Sequence, residues 1–147
     1  MPSPTYHIVP MTLDHYEGVM ALWRAAEGVG LRQADERESI ARYLARNPGL
    51  SFVALADDEV VGAVLCGHDG RRGYLHHLAV AQPHRGRGAG RALAARALAG
   101  LKAVGIVKCH LFVFQNNREA IAFWRRIGWF QREDLLIMSH LEGEPNA

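Results

Sequence analysis

The sequence has few cysteines, no long apolar run and almost no net charge, and each of these excludes a class of protein. Only two of the 147 residues are cysteine, too few for a disulfide-stapled secreted scaffold. No stretch approaches the roughly 18 apolar residues of a membrane span, and the first ten residues lack the apolar segment of a secretory signal. The chain is therefore expected to be cytoplasmic, without a membrane partner.

The charge balance gives little support for a nucleic-acid-binding protein. Lys and Arg number 17 and Asp and Glu 15, so the formal net charge is only +2. Phe112 and Phe114 alternate on a predicted strand and resemble an aromatic platform for nucleic acid. Alternating aromatics on a central strand are more often core residues, however. Nucleic acid is therefore not expected as a partner.

The length and the 49% hydrophobic content predict one globular domain over residues 1–147, with a core at about 5–141. The first half predicts a strand at 6–9, a helix with Thr12 as its N-cap, and a second helix ending near Asn47. Between these helices, the glycine-broken loop 28–35 is able to shape a pocket. The last residues, EGEPNA, are expected to fray.

The rest of the chain predicts an antiparallel meander followed by a parallel strand. The meander strands are 51–56, 60–67 and 73–80, an alanine-rich helix follows, and a fifth strand covers 107–114. A fourth helix is capped by Asn116 and Asn117 and closed by Gly128, and a last strand covers 135–141. Cys66 and Cys109 fall on strands three and five, about 10 Å apart, and are read as reduced core residues.

The segment HRGRGAGR, residues 84–91, follows an apolar strand and precedes a helix. Its three glycines allow successive N–H groups to converge on an oxyanion, and the helix start adds unpaired N–H groups and a positive dipole end. Arg85, Arg87 and Arg91 add positive charge. The segment predicts a site for a phosphate-bearing ligand; the alternative is an ordinary glycine-rich surface turn.

Two motifs on these elements resemble the GNAT superfamily of acyl-CoA-dependent N-acetyltransferases. Arg85-Gly86-Arg87-Gly88-Ala89-Gly90 matches the family's Q/R-x-x-G-x-G/A signature, and Asn117, Ala120, Ile121 and Phe123 match its N-x-x-A-I-x-F-Y block. The resemblance covers nearly the whole chain. It implies a mixed, mostly antiparallel sheet of six to seven strands with about four flanking helices, and strands four and five parallel and splayed.

The resemblance also implies a set of residues that bind acetyl-CoA. The loop amides would hold the pyrophosphate, and the main chain of Leu78 and Val80 would hold the pantetheine arm, with the Leu78 N–H as an oxyanion donor. No metal is expected. The cofactor-binding residues predicted in this way are Leu78, Val80, Arg85, Gly86, Arg87, Gly88, Ala89, Gly90, Arg91, Asn117, Phe123 and Trp124.

The implied reaction is direct attack of a primary amine, on a small molecule or a peptide, on acetyl-CoA. Many family members use a tyrosine to protonate the thiolate, but Trp124 stands at this position, and an indole does not act as an acid near neutral pH. Water or the ammonium product is therefore expected to protonate the thiolate, since a thiol of pKa about 8.5 leaves readily.

Two residues compete as the predicted base. Strict alternation places His76 on the same face of strand four as Leu78 and Val80, toward the cofactor, if the strand has no bulge. Simple packing of His76 is an equally good interpretation. Glu27, beside the loop between the first two helices, is the competing carboxylate and is also able to bind a cationic amine.

The other histidines and acids predict no further chemistry. The eight histidines include no H-E-x-x-H, and alternation places His76 and His77 on opposite faces, so no metal site is predicted. Asp69 is predicted to be a turn residue, and His110 and His140 packing or surface residues.

Two other function classes remain open. One is a non-catalytic acyl-CoA-binding module, which the missing tyrosine favours. The other is a nucleotide or dinucleotide binder. The sequence argues against this class, because it lacks both a Walker lysine and the G-x-G-x-x-G register. The acceptor cannot be read from the sequence, and a homodimer is compatible with the resemblance.

Overall fold

Five strands form one sheet in the order β1-β2-β3-β4-β5 within residues 5–143, the part of the chain that the computed structural model describes. β5 runs parallel to β4, and all other neighbours are antiparallel, as the sequence predicts. The strands are β1 (His7–Pro10), β2 (Phe52–Ala56), β3 (Glu59–His68), β4 (Gly73–Val80) and β5 (Cys109–Leu111). The prediction of six to seven strands is wrong for this part of the chain.

Four α-helices cover the two faces of the sheet, which makes the protein the single α/β domain that the sequence predicts. On one face, α1 packs its largest buried side chain, Trp23, against β3 and β4. On the other face, Leu93 and Leu101 of α3 pack over Leu75 of β4, each at most 2% exposed. The helices are α1 (Tyr16–Ala25), α2 (Arg37–Arg46), α3 (Ala89–Ala103) and α4 (Arg118–Arg126).

The predicted helix boundaries are marked by side chains that cap free backbone N–H groups and by a glycine in a left-handed conformation. Thr12 Oγ1 accepts the Asp14 N–H at 3.3 Å, although it caps a short 3-10 turn that leads into α1 and not α1 itself. Asn117 Oδ1 accepts the Ala120 N–H at 3.1 Å at the start of α4. Gly128 has φ of +102°, which is typical of the residue just after a helix.

The prediction of Asp69 as a turn residue is confirmed, and of the two predicted core cysteines only Cys66 is fully buried. Asp69 Oδ1 accepts the N–H groups of both Arg71 and Arg72 at 2.8 Å in the β3–β4 turn. Cys66 is buried on β3 and Cys109 half-buried on β5, both as free thiols with β4 between them. Burial raises the pKa of Cys66 to about 12 and that of Cys109 to about 11, so neither is a reactive thiolate near neutral pH.

The last part of the described chain departs from the prediction. Residues 135–141 form no strand, and Met138 is 92% exposed. Strand β5 covers only three of the eight predicted residues, and Phe112 and Phe114 are 58% exposed and not core residues. Because β5 has β4 as its only neighbour among residues 5–143, the apolar side chains after Leu111 have no second strand to pack against. The tail from 144 onward lies outside the described residues.

Candidate functional site

A cleft opens where β4 and β5 separate. The two strands pair only between Gly73–Leu75 and Cys109–Leu111, and β4 then continues to Val80 without a partner on that side. The resulting cleft of about 570 Å³ is lined by β4, β5, the start of α3, one side of α4 and the chain just after α1. Unpaired strand edges at a cleft present backbone groups that a ligand can use.

A β-bulge lies in β4 at this point and changes which side chains reach the cleft. Ala79 lies opposite Ala63 and His76 opposite Leu65, so two residues of β4, His77 and Leu78, face a single residue of β3. His77 has φ of +55°, a left-handed conformation that is uncommon outside glycine. The alternation assumed in the sequence analysis therefore ends at His77.

The bulge removes the condition on which the prediction for His76 depended. Leu78 and Val80 pack toward α3 and line the cleft, whereas His76 packs on the opposite face and is not among the cleft-lining residues. Its ring lies 6.4 Å from that of Tyr43 and 6.0 Å from that of Phe112. Burial, with a smaller contribution from the neighbouring His77, lowers the pKa of His76.

The glycine-rich loop has the backbone geometry that the sequence predicts for an anion site. Gly86 and Gly88 have φ of +77° and +89°, and α3 begins at the next residue, Ala89. A Cβ built on either glycine would find open space within 4 Å. The first N–H groups of α3 have no partner within the helix, so they are available at the cleft that Ala89, Gly90 and Arg91 line.

Three arginines surround this loop. Arg85, Arg87 and Arg91 are exposed, and none of them forms an ion pair with any residue from 5 to 143. Arg85 is positioned by its Nε–H, which donates to the Val80 carbonyl at 2.9 Å. The loop thus combines unpaired N–H groups with positive charge that no carboxylate in the described part of the chain neutralises.

The opposite wall of the cleft comes from α4. It is lined by Asn117, Phe123 and Trp124, three of the residues that were predicted to bind the cofactor. A Cβ on Gly90 would lie 3.3 Å from Phe123 Cζ, so the glycine allows α3 and α4 to approach closely here. The Trp124 ring packs edge-on against Trp129, with centroids 5.0 Å apart.

Acidic side chains lie at the mouth of the cleft. Glu27, the second predicted base, is exposed and lines both the cleft and an adjoining cavity of about 380 Å³. Glu119 lines the same two spaces. Of the two predicted bases, only Glu27 is therefore at the cleft.

At the cleft lies a hydrogen-bonded pair that the sequence did not predict, His77 and Asp35, which the bulge brings together. His77 lines the cleft, and its Nε2 lies 3.0 Å from Asp35 Oδ1. Asp35 Oδ2 accepts the Arg32 N–H at 3.0 Å, and the Asp35 carbonyl accepts the Tyr16 hydroxyl at 2.9 Å. The two adjacent histidines before the loop were a visible signal, but nothing in the sequence marks the bulge at His77.

The charge state of Asp35 follows from these contacts. Burial raises the pKa of Asp35. Hydrogen bonds from His77 and the Arg32 N–H, together with the positive charge of His77, lower this pKa by more than burial raises it, so the net shift is downward. Asp35 is therefore a carboxylate at neutral pH.

We expect Asp35→Asn to destabilise the protein in a pH-dependent manner. At pH 7 the loss should be about 1–3 kcal/mol, because the variant loses a buried charged acceptor. The folded pKa of Asp35 is lowered, so its stabilisation is present above the unfolded value of about 3.9 and is lost as the pH falls through the folded value. Urea denaturation at pH 7, 5 and 3 should show the difference from wild type narrowing toward pH 3.

The matched control is Asp57→Asn, an exposed turn carboxylate whose loss should change stability by less than about 0.5 kcal/mol at every pH. A difference for Asp35→Asn that stays constant from pH 7 to pH 3 would contradict the assigned role of the carboxylate.

Two other features are absent from the part of the chain that the structure describes. No helix between residues 5 and 143 is long and apolar enough to cross a membrane. The same residues contain no group of three or more His, Cys, Asp or Glu side chains that could hold a metal ion. The rings of His76 and His77 do lie 6.5 Å apart, so the prediction that they occupy opposite faces is wrong because of the bulge.

Known sequences match this chain over most of its length. The model of the acetyltransferase (GNAT) family matches residues 16–129. An acetyltransferase of Pectobacterium atrosepticum is 36% identical over 115 residues, which cover 78% of this chain and 80% of that protein. An acetyltransferase of Sodalis glossinidius is 33% identical over 126 residues, or 85% and 87% of the two chains.

Solved structures share the fold at lower identity. The PaiA N-acetyltransferase of Thermoplasma acidophilum, solved in complex with coenzyme A, superposes with a TM-score of 0.73 over 83% of this chain and 87% of that one, at 18% identity. Ard1 of Thermoplasma volcanium gives a TM-score of 0.74 over 84% and 81% of the two chains, at 20% identity.

Proposed function

Because the chain belongs to the acetyltransferase (GNAT) family, we propose that it transfers the acetyl group of acetyl-CoA to a primary amine by direct attack. One observation carries the proposal. The loop with Gly86 and Gly88 in left-handed conformations leads into α3 at the edge of a cleft that Arg85 and Arg91 line. These two arginines and the nearby Arg87 are exposed and have no ion-pair partner among the described residues. A pyrophosphate needs this combination of N–H groups and positive charge.

In this proposal the cofactor lies along the cleft from the loop toward the β4 bulge. The pyrophosphate binds the amides of residues 86–91, and the pantetheine arm follows the main chain of Leu78 and Val80, on the edge of β4 that has no β5 partner. The Leu78 N–H polarises the thioester carbonyl. Asn117, Phe123 and Trp124 form the other wall.

The proton that the leaving thiolate takes up does not come from Trp124. Its indole N–H is a hydrogen-bond donor but not an acid near neutral pH. We propose that water or the ammonium product supplies this proton. Glu27, exposed at the mouth of the cleft, is placed to attract a cationic acceptor, which is a small molecule or a peptide amine. The two free thiols fit a reducing compartment, so the proposed location is the cytoplasm.

The proposal predicts release of coenzyme A thiol when acetyl-CoA is mixed with the protein and a panel of primary amines and peptides. Acetyl-CoA at about 100 times its Kd should also stabilise the fold by about 2.7 kcal/mol, a rise in Tm of ~5 °C or more. Time-resolved thiol detection and thermal denaturation provide the two measurements.

Each other function class gives a different result in the same assay. Stabilisation by acetyl-CoA with no thiol release for any acceptor would indicate an acyl-CoA-binding module. Stabilisation by ATP or NAD but not by coenzyme A would indicate a nucleotide binder, and would contradict the assignment of the loop to coenzyme A.

A further inference from the structure

The His77–Asp35 pair has features that simple packing does not require. His77 Nε2 and Asp35 Oδ1 are 3.0 Å apart, and the two side chains are 22% and 7% exposed, so the pair is shielded while His77 still lines the cleft. The two bases predicted from the sequence lack these features. His76 does not line the cleft, and Glu27 is exposed without an ion-pair partner in residues 5–143.

The position of the imidazole is fixed from two sides. The Trp23 Nε1–H donates to the His77 carbonyl at 2.9 Å, and the two rings pack edge-on with centroids 5.1 Å apart. Asp35 is itself held through the Arg32 N–H and the Tyr16 hydroxyl. These contacts hold His77 in its left-handed conformation, which is energetically unfavourable for a residue other than glycine.

The carboxylate also sets which nitrogen of His77 is free. An ionised Asp35 only accepts hydrogen bonds, so a neutral His77 keeps its proton on Nε2 and donates it to Oδ1. The lone pair is then on Nδ1, for which no hydrogen-bond partner exists among the described residues. The arrangement is that of an imidazole base oriented by a carboxylate.

Resting on the proposed acetyltransferase function, we propose that His77, oriented by Asp35, accepts the proton that the acceptor ammonium must lose before it attacks acetyl-CoA. The N–H bond of the ammonium breaks, its electron pair stays on nitrogen, and the proton goes to His77 Nδ1. The amine then forms the C–N bond, and the C–S bond breaks with its electron pair on sulfur. The nitrogen loses a second proton, directly or through water, to the thiolate, and His77 returns its proton to solvent.

Several other groups share the surroundings of His77 and bear on its pH dependence. Asp35 contacts it from the 3-10 turn Gln33–Asp35, and the His76 ring lies 6.5 Å away on β4. From α1, the Tyr16 hydroxyl bonds the Asp35 backbone, and burial raises the pKa of Tyr16, so it stays neutral. Glu27 lines the same cleft. Among these groups, Asp35 lies nearest to the imidazole and carries negative charge at neutral pH.

The test is the pH profile of His77→Gln, because the amide Nε2 of Gln can still donate to Asp35 but cannot take up a proton. Thiol release should fall about 10²–10⁴-fold at neutral pH. Without this base the variant depends on acceptor amine that is already deprotonated in solution, so its rate should keep rising with pH toward the pKa of that amine, at pH values where the wild-type rate has reached its plateau. The Kd for acetyl-CoA, measured by calorimetry, should stay within about 2-fold of wild type. His77→Asn, which suits the left-handed backbone, is a second variant with the same expected loss.

A histidine far from the cleft provides the matched control. His7→Gln removes an exposed imidazole on β1 and should keep both the rate and the pH profile of wild type. A His77→Gln enzyme with wild-type rate and profile would overturn the assignment of His77 alone. Absence of thiol release from the wild-type protein with every amine would instead contradict the proposed acetyltransferase function.

Discussion

Replacing Gly88 by valine should raise the Kd for acetyl-CoA at least about 100-fold. Gly88 precedes α3 with φ of +89°, where a β-branched residue is strongly disfavoured. Valine would tilt the N–H groups that follow and place methyl groups at the surface where the pyrophosphate must approach. A 100-fold loss corresponds to about 2.7 kcal/mol, the contribution of one or two charge-assisted hydrogen bonds. Isothermal titration calorimetry with acetyl-CoA measures it.

Gly70→Val separates this effect from backbone strain. Gly70 has φ of +94° in the β3–β4 turn, and a Cβ there also meets no atom within 4 Å, but the residue does not line the cleft. Both variants should lose ~1–2 kcal/mol of stability, while only Gly88→Val loses affinity. Equal Kd values for the two variants would mean that the loop does not bind the phosphates.

Replacing Trp23 should cost more stability than replacing any other single side chain near the site. Trp23 is 1% exposed, and its indole N–H bonds the carbonyl of the bulged residue His77. Trp23→Ala should therefore lower the free energy of unfolding by about 3–5 kcal/mol through the cavity it leaves. Trp23→Phe keeps a ring but leaves the part-buried His77 carbonyl without this donor, at a cost of about 1–3 kcal/mol. Urea denaturation at pH 7 gives both values.

Trp129→Phe is the matched substitution, because Trp129 is half-buried and its indole makes no hydrogen bond within residues 5–143. Its cost should stay below about 1 kcal/mol. If Trp23→Phe were no more destabilising than Trp129→Phe, the hydrogen bond to His77 would not stabilise the bulge.

The elements that were predictable from the sequence depend on local rules. Glycines at alternate positions between a strand and a helix predict left-handed turns, and Gly86 and Gly88 adopt them. An asparagine before an amphipathic segment predicts a cap, and Asn117 forms one. The apolar stripe of α3 predicts its buried side, where Leu93 and Leu101 are at most 1% exposed.

Which histidine of β4 lines the cleft was not predictable, because this depends on one extra residue in the β3–β4 ladder. Strict alternation would have placed His76 on the same face of β4 as Leu78 and Val80. The extra residue at His77 shifts the alternation by one, so His76 lies on the opposite face from these two residues. The partner of His77, Asp35, is 42 residues away in sequence. No local pattern connects a carboxylate in a loop between two helices with a strand that forms much later in the chain.

The last predicted strand shows the limit of β-propensity in another way. Residues 135–141 read LLIMSHL, a strand-like composition, yet they form no strand and Leu136 is 91% exposed. Composition indicates that a segment fits a pleated, half-buried surface, but it does not supply the neighbouring strand. β5 is only three residues long, and within residues 5–143 no further strand pairs with its free edge.

A crystal structure of the protein with bound acetyl-CoA is the most direct test of the central claim that the cleft between β4 and β5 holds this cofactor. In this structure the pyrophosphate should lie within hydrogen-bond distance of the amides of residues 86–91, and the thioester carbonyl within hydrogen-bond distance of the Leu78 N–H. A pyrophosphate bound away from the loop, or a pantetheine arm outside the cleft, would contradict it.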